Sequence, residues 1–410
     1  CLVGSEMCIR DSRYISTLST SVDSWIIDGK KVQSTQKPTI VSSTLTWEKV
    51  TTLDLGLDAR FFNDALGVTF DWYNRTTSDI LTTANLPATL GADAPYENMG
   101  TIQTKGWELA IDYRHTFKNG LHFGVTASVA DDKTEVTKWT YNTKIPSYGA
   151  TGWWDKSAYK EGMVLGDIWG LQFDRFLTED DFNADGSLKA GLPDQTKVFP
   201  AGYQFAPGDV LYKDLDNNGE IVKQTNTNDK GDLSVIGNAL PRLQFGLNLD
   251  AAWKGFDISM FFQGVAKRKL WAAGNQVLPG FTTGEPFYKG AEDYWTPENT
   301  DAFYPRPMDY KQSASGNYSV NDRYLLNMAY LRLKTFTVGY SLPKVWLSKF
   351  KVQGLRVYFT GENLFTIDGV KPAIDPEIGI RTASGKSDQR NFGRSYPYQK
   401  TVSFGIQLSL

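Results

Sequence analysis

Cysteine is nearly missing from this chain: 410 residues hold two, Cys1 and Cys8, both at the very start. No disulfide can staple the body of such a chain, and the compartment cannot be read from its redox chemistry. Histidine is as scarce, with His115 and His122 the only two. Both flank one predicted turn and neither has a nucleophile to activate. No HExxH run, glycine-rich phosphate loop or CxxC pair occurs, and a carboxylate pair picked from 46 acids carries no specificity for glycoside hydrolysis. Catalysis is therefore not expected. The net charge is only -3, with both signs dispersed, so there is no basic stripe for a nucleic acid. Nor is there an apolar run of about 18 residues, which excludes a spanning helix. A membrane barrel leaves no such run, because its strands are apolar only at alternate positions.

That alternation is what the chain does have. In Thr401 to Leu410 one face is Val402, Phe404, Ile406, Leu408 and Leu410, and the other is Thr401, Ser403, Gly405, Gln407 and Ser409. Four hairpins precede it. Leu53 to Phe61 returns as Leu66 to Trp72 across Phe62 to Ala65, and Trp107 to Tyr113 returns as Leu121 to Val129 across Lys118, Asn119 and Gly120. Leu243 to Ala251 returns as Phe256 to Phe262 through Lys254 and Gly255, and Ala329 to Tyr340 returns as Leu355 to Asn363. In the fourth the apolar phase changes between Leu333 and Phe336, which predicts a bulge near Lys334 and Thr335.

Short and long connections alternate, the long ones being roughly residues 74–105, 131–240, 264–328 and 364–398. A compact soluble domain seldom carries several such loops. Outer-membrane barrels place short turns in the periplasm and long loops outside. The expected fold class is all-β: about nine or ten antiparallel strands of a larger transmembrane β-barrel of about 22, an open curved sheet in this segment. Val164 to Leu177 also reads as strand, inside an external loop. Residues 1–12 (CLVGSEMCIRDS) resemble a translated adaptor, 13–44 read as a loop or strand remnant entering the barrel, and 45–410 as the barrel portion. With no leader at its start, the chain is expected to be part of a longer precursor.

Several segments together resemble SusC/RagA-type TonB-dependent outer-membrane transporters. They are LTWEKVTTLDLGLDARF at Leu45 to Phe61, NMGTIQTKGWELAIDYR at Asn98 to Arg114, and GDVLYKDLDNNGEI at Gly208 to Ile221. The set continues with VIGNALPRLQFGLNLDAAWKGFDISMFFQG at Val235 to Gly264, YLRLKTFTVGYSLP at Tyr330 to Pro343 and YFTGENLFTI at Tyr358 to Ile367. The resemblance implies outer-membrane localisation and active import of oligosaccharides or peptides with a SusD-like surface lipoprotein. Energy would come from a TonB complex through a plug domain that this chain does not include. The alternatives are a non-transporting glycan-binding surface protein and, further off, a secreted β-rich hydrolase.

Two kinds of site residue stand out. Asp214, Asp216, Asn218 and Gly219, followed by Glu220, copy the first half of a calcium loop, and Asp181, Asn183, Asp185 and Gly186 repeat it more weakly. Both lack the acid at position twelve, where Thr225 and Leu192 stand; Asp229 or Asp232 would have to fold back to supply it. The structural alternative is a pair of Asx turns. No cofactor is required by this reading, and calcium is the candidate ion. The loop aromatics Trp153, Trp154, Trp271, Tyr288, Tyr294, Trp295 and Tyr304 have flat faces suited to sugar rings, or else pack the loops and the lipoprotein lid. Trp72, Trp107, Trp253 and Trp346, expected at strand ends, suit membrane interfaces. Asp58, Arg60, Asp71, Glu108, Asp112 and Asp250, on the alternate positions, should face the wet lumen.

Overall fold

The computed structural model describes residues 20–35, 40–83, 95–140, 160–223, 230–272, 274–281, 286–308, 316–347, 352–370, 374–377, 382–383, 386–387 and 396–409. Nine long strands make one antiparallel sheet: β1 (Lys49–Phe61), β2 (Leu66–Thr83), β3 (Tyr96–Thr116), β4 (His122–Trp139), β5 (Arg242–Trp253), β6 (Phe256–Lys267), β7 (Tyr330–Ser341), β8 (Gly354–Asp368) and β9 (Thr401–Ser409). Each strand pairs with its neighbour in sequence, so β1 and β9 are the two edges and the barrel is not closed in this chain.

The register carries the alternation across the whole wall. One row reads Phe61, Leu66, Tyr113, Val125, Leu249, Met260, Phe336, Gly361 and Val402. The next row on the other face reads Arg60, Gly67, Asp112, Thr126, Asn248, Phe261, Thr335, Glu362 and Thr401. A slip of one residue in any pair would have mixed the two faces. Among the described residues no second layer covers the apolar face: Phe404 is 81% and Ile406 73% exposed. Its outward aromatics touch only along the face, Phe336 with Phe359 at 6.1 Å and Phe359 with Phe404 at 5.2 Å between ring centroids. The bulge falls where the phase change predicts it, with Lys334 left out of both ladders of β7.

Turn chemistry matches the hairpins. Lys254 and Gly255 both have positive φ, 47° and 89°, as a two-residue hairpin turn requires, and Trp253 pairs directly with Phe256. Gly255 is also crowded, since a Cβ there would lie 2.8 Å from the carbonyl oxygen of Ser341.

Two expectations need correction. The strands run well beyond the oily band: Asn74 to Thr83 pairs with Tyr96 to Lys105, and β4 continues from Asp131 to Trp139. Those stretches, assigned above to long loops, are strand with polar residues on both faces. Trp72 and Trp107 consequently lie opposite each other inside their strands, where the apolar rows give way to Asn74 and Lys105. Trp253 and Trp346 do sit at the short-turn end, Trp346 in the one-turn helix Lys344–Leu347. Within residues 13–44, Thr20–Ile27 pairs with Lys30–Thr35 in a hairpin of its own, and residues 40–44 are loop. Residues 1–12 lie outside the described residues.

The four long connections leave from one end of the sheet, and there the chain builds its buried core. Two apolar clusters form: one around Trp271, Leu278, Tyr318, Tyr324 and Met328, the other around Leu171, Val210, Tyr212, Ile221 and Trp295. The predicted strand Val164 to Leu177 is two short ones, Asp167–Gly170 pairing with Ser234–Asn238 and Phe173–Phe176 with Val210–Tyr212.

Candidate functional site

The loop core is fastened by polar groups that burial makes expensive to leave unpaired. Asp209 is fully buried and accepts from Arg306 Nε at 2.9 Å, the Tyr203 hydroxyl at 2.9 Å, Asn317 Nδ2 at 2.9 Å and the backbone N–H of Ala206 at 2.9 Å. The same Asn317 accepts from the Val210 amide at 2.7 Å, and Tyr212 donates to the Gly316 carbonyl at 2.8 Å. These bonds join the β4–β5 connection to the β6–β7 connection. Burial and the Asp209 charge raise the Tyr203 phenol, so it stays a neutral donor.

Against this core three of the predicted aromatics come together. Tyr288, Tyr294 and Tyr304 line one groove of about 580 Å³ with Phe287, Pro305 and Pro307, a size in the range of ligand sites. Tyr288 and Tyr294 are 41% and 40% exposed, leaving their faces open. Tyr304 is mostly buried, its hydroxyl donating to the Val277 carbonyl at 3.0 Å, and burial pushes its phenol up to about 12. Lys289 and Glu292 supply charge at the rim. Trp271 is elsewhere: at 1% exposure it is a core side chain with no face for a ligand. Trp295 packs in the second cluster. Trp153 and Trp154 lie outside the described residues.

The two acidic loops differ. In the weaker one Asp181 is committed to Arg175, accepting two bonds at 2.6 and 2.7 Å and a third from the Thr178 amide at 2.8 Å. The guanidinium holds its carboxyl at about 2. Asp185 accepts from the Ser187 amide and hydroxyl, and Asn183 donates to Ser187, which is the Asx-turn arrangement. In the stronger loop Glu220 pairs with Lys197. Asp232 takes its place: carboxylate oxygens of Asp214, Asp216 and Asp232 lie within 4.8 Å of one another. Sequence spacing named Asp232 only as one of two alternatives, because a fold-back leaves no periodic trace.

Inside the wall, the face opposite the lipid carries the expected polar residues. Arg60 donates to Asp112 at 2.8 Å and Thr69 to Asp58 at 2.7 Å. Asp71 and Glu108 pair across β2 and β3 and line a trough of about 530 Å³ with Ser128, Gln244 and Gln263. Long side chains arch over glycines on this face, Asp250 over Gly124 and Tyr358 over Gly405, which keeps the ladder covered without adding bulk at the pleat.

The sequence model of a family described as TonB dependent receptor-like, beta-barrel matches residues 13–364. Among characterised relatives, TonB-dependent receptor P3 of Formosa agariphila is 27% identical over 395 residues, covering 93% of this chain and 36% of that protein. TonB-dependent receptor SusC of Bacteroides thetaiotaomicron is 24% identical over 391 residues, covering 93% of this chain and 34% of that protein. Among solved structures, the RagAB peptide transporter superposes with a TM-score of 0.67 at 22% identity, over 96% of this chain and 38% of that one. The chain therefore spans little more than a third of the proteins it matches.

Proposed function

Since the chain belongs to the TonB dependent receptor-like β-barrel family of the outer membrane, we propose that it serves as the wall sector and outer loops of an importer for oligosaccharides or peptides. The observation that carries this reading is the continuous pairing of nine strands, whose register keeps the two faces separate across the sheet. Among the described residues it sets an uncovered apolar face against a polar one and raises a folded loop core at one end. Lipid outside, water inside and a structured outer mouth are what a transporter wall needs. The open tyrosine faces of Tyr288 and Tyr294, beside Lys289 and Glu292, suit a ligand with apolar patches edged by polar groups. A SusD-like surface lipoprotein would close over the loop core, and a TonB complex would supply energy through a plug. The names of the relatives support the TonB dependence.

The test is uptake in cells. A strain lacking the gene, complemented with wild type, should regain import of one oligosaccharide or peptide class, and import should stop when the TonB complex is deleted. Tyr288→Ala with Tyr294→Ala should slow uptake at low substrate concentration by about tenfold, the loss of roughly 1.4 kcal/mol of stacking. Import that is indifferent to deletion of this gene would sink the reading.

A further inference from the structure

The last three short turns share a composition that the first lacks. Phe117 to Leu121 (FKNGL), Trp253 to Phe256 (WKGF) and Pro343 to Leu347 (PKVWL) each hold one lysine and no acid, whereas the β1–β2 turn carries Asp64 and no lysine. Lys118, Lys254 and Lys344 are all exposed, and among the described residues none of them forms an ion pair. Two acids on the lumen side of that end are taken by arginines, Asp112 by Arg60 at 2.8 Å and Asp257 by Arg356 at 2.5 Å, so they do not neutralise the lysines.

Beside these turns the outward face is aromatic. Tyr113, His115 and Phe117 form a row with ring centroids 6.3 and 4.6 Å apart, and Phe256 packs on Tyr340 at 4.5 Å. Trp253 stands in register with Phe256 and Tyr340 and is 43% exposed. Its indole N–H donates to the Asn119 carbonyl at 3.3 Å, which ties the β5–β6 turn to the β3–β4 turn. Lys254 Nζ lies 4.5 Å from the centroid of the same ring, so the cation is held against an outward-facing side chain. Val345 and Trp346, both exposed, follow Lys344.

We propose that these turns form a rim that binds the headgroups of anionic phospholipid in the periplasmic leaflet, with Lys118, Lys254 and Lys344 at the phosphates and Trp253 at the boundary with the acyl chains. Two observations select this occupant. The aromatic rows continue the apolar face of the wall, so the lipid that coats that face also reaches the turns. The rim also carries one sign of charge. Neighbouring turns lie two strands, about 10 Å, apart, close to the Debye length at physiological salt, so the three fields overlap. Aromatic rings alone suit any headgroup, but lysines without acids favour a negative one. A lysine stem can lie along apolar surface while its ammonium reaches phosphate and water.

The complete outer-membrane protein should be reconstituted in phosphatidylcholine vesicles holding a minor fraction of either brominated phosphatidylglycerol or brominated phosphatidylcholine. Quenching of Trp253 is read as the difference from Trp253→Phe. One lysine near an anionic surface is worth about fivefold, so at low salt phosphatidylglycerol should be enriched at Trp253 by at least that factor. The enrichment should fall toward parity at about 1 M salt, where the Debye length is about 3 Å. Lys118→Gln combined with Lys254→Gln and Lys344→Gln should remove the preference while both lipids still quench Trp253, which reports a folded, inserted protein. Lys189→Gln, Lys213→Gln and Lys230→Gln together remove the same charge from the β4–β5 connection and should leave the preference intact. Equal quenching by the two lipids in wild type would overturn the proposal and leave the lysines to a periplasmic protein. A preference that the turn variant keeps would also overturn it. So would inorganic phosphate that displaces the lipid more than chloride does at equal ionic strength, since the lysines would then serve a soluble anion.

Discussion

Replacing Phe404 by arginine tests whether hydrocarbon wets the apolar side of this wall. Phe404 lies mid-strand in β9, is 81% exposed, and touches Phe359 at 5.2 Å along the same face. Moving a phenylalanine side chain from water into an apolar medium is worth about 2 kcal/mol, which Phe404→Ala should forfeit when unfolding returns the strand to water. Arginine near the bilayer midplane costs a further 2–4 kcal/mol or so, giving about 4–6 kcal/mol for Phe404→Arg. Its neighbour Ser403 points to the other side, in the row of Thr360 and Thr337, whose hydroxyls lie 3.2 Å apart. Ser403→Arg should therefore change stability by no more than about 1 kcal/mol. The assay is urea unfolding of the complete barrel in phospholipid vesicles, followed by tryptophan emission. Equal costs at 403 and 404, or a cost below about 1 kcal/mol at 404, would refute the assignment of the two faces.

Three further outcomes follow from the packing. Asp181, whose carboxyl is held at about 2 by Arg175, stabilises the loop above the ordinary carboxylate range, and that contribution fades as pH falls from about 4 toward 2. Asp181→Asn should cost about 1–2 kcal/mol at neutral pH and nothing measurable near pH 2, read from hydrogen exchange of residues 173–190. Arg332 is buried between Asp375, at 2.6 Å, and Glu377. Arg332→Met leaves two carboxylates short of a partner, so it should cost about 3 kcal/mol and open the β8–β9 connection to limited proteolysis. Gly255→Ala, at a φ of 89° and against the Ser341 carbonyl, should destabilise the β5–β6 hairpin by at least about 1 kcal/mol in the same unfolding assay.

The nine strands were legible because each crosses the oily band, where the two faces meet different solvents and a period of two must appear in the residues. Above the band both faces are wet. Thr76, Gln103 and Glu135 therefore carry no periodic signal, although their strands stay paired. The loop core was illegible for another reason. Its partners are set by tertiary return, as when Val210 meets Asn317 or Lys197 takes Glu220 from the acidic turn. Aromatic richness announced an organised loop region but could not separate Trp271, sealed in the core, from Tyr294, open at the groove. The acidic turn shows both halves: its motif was plain in the sequence, its third carboxylate was not.

Each of the four short-turn hairpins can zip up over a short stretch of chain, whereas β4 meets β5 and β6 meets β7 only across long connections. The cap is bound over the same range, by contacts such as Tyr212 to Gly316 that span about a hundred positions. Loop-closure entropy makes such contacts slow to form until something holds their ends together. The strand order thus assigns a sequence to biogenesis: the hairpins come first, and the β4–β5 and β6–β7 seams close together with the cap contacts made by the same connections.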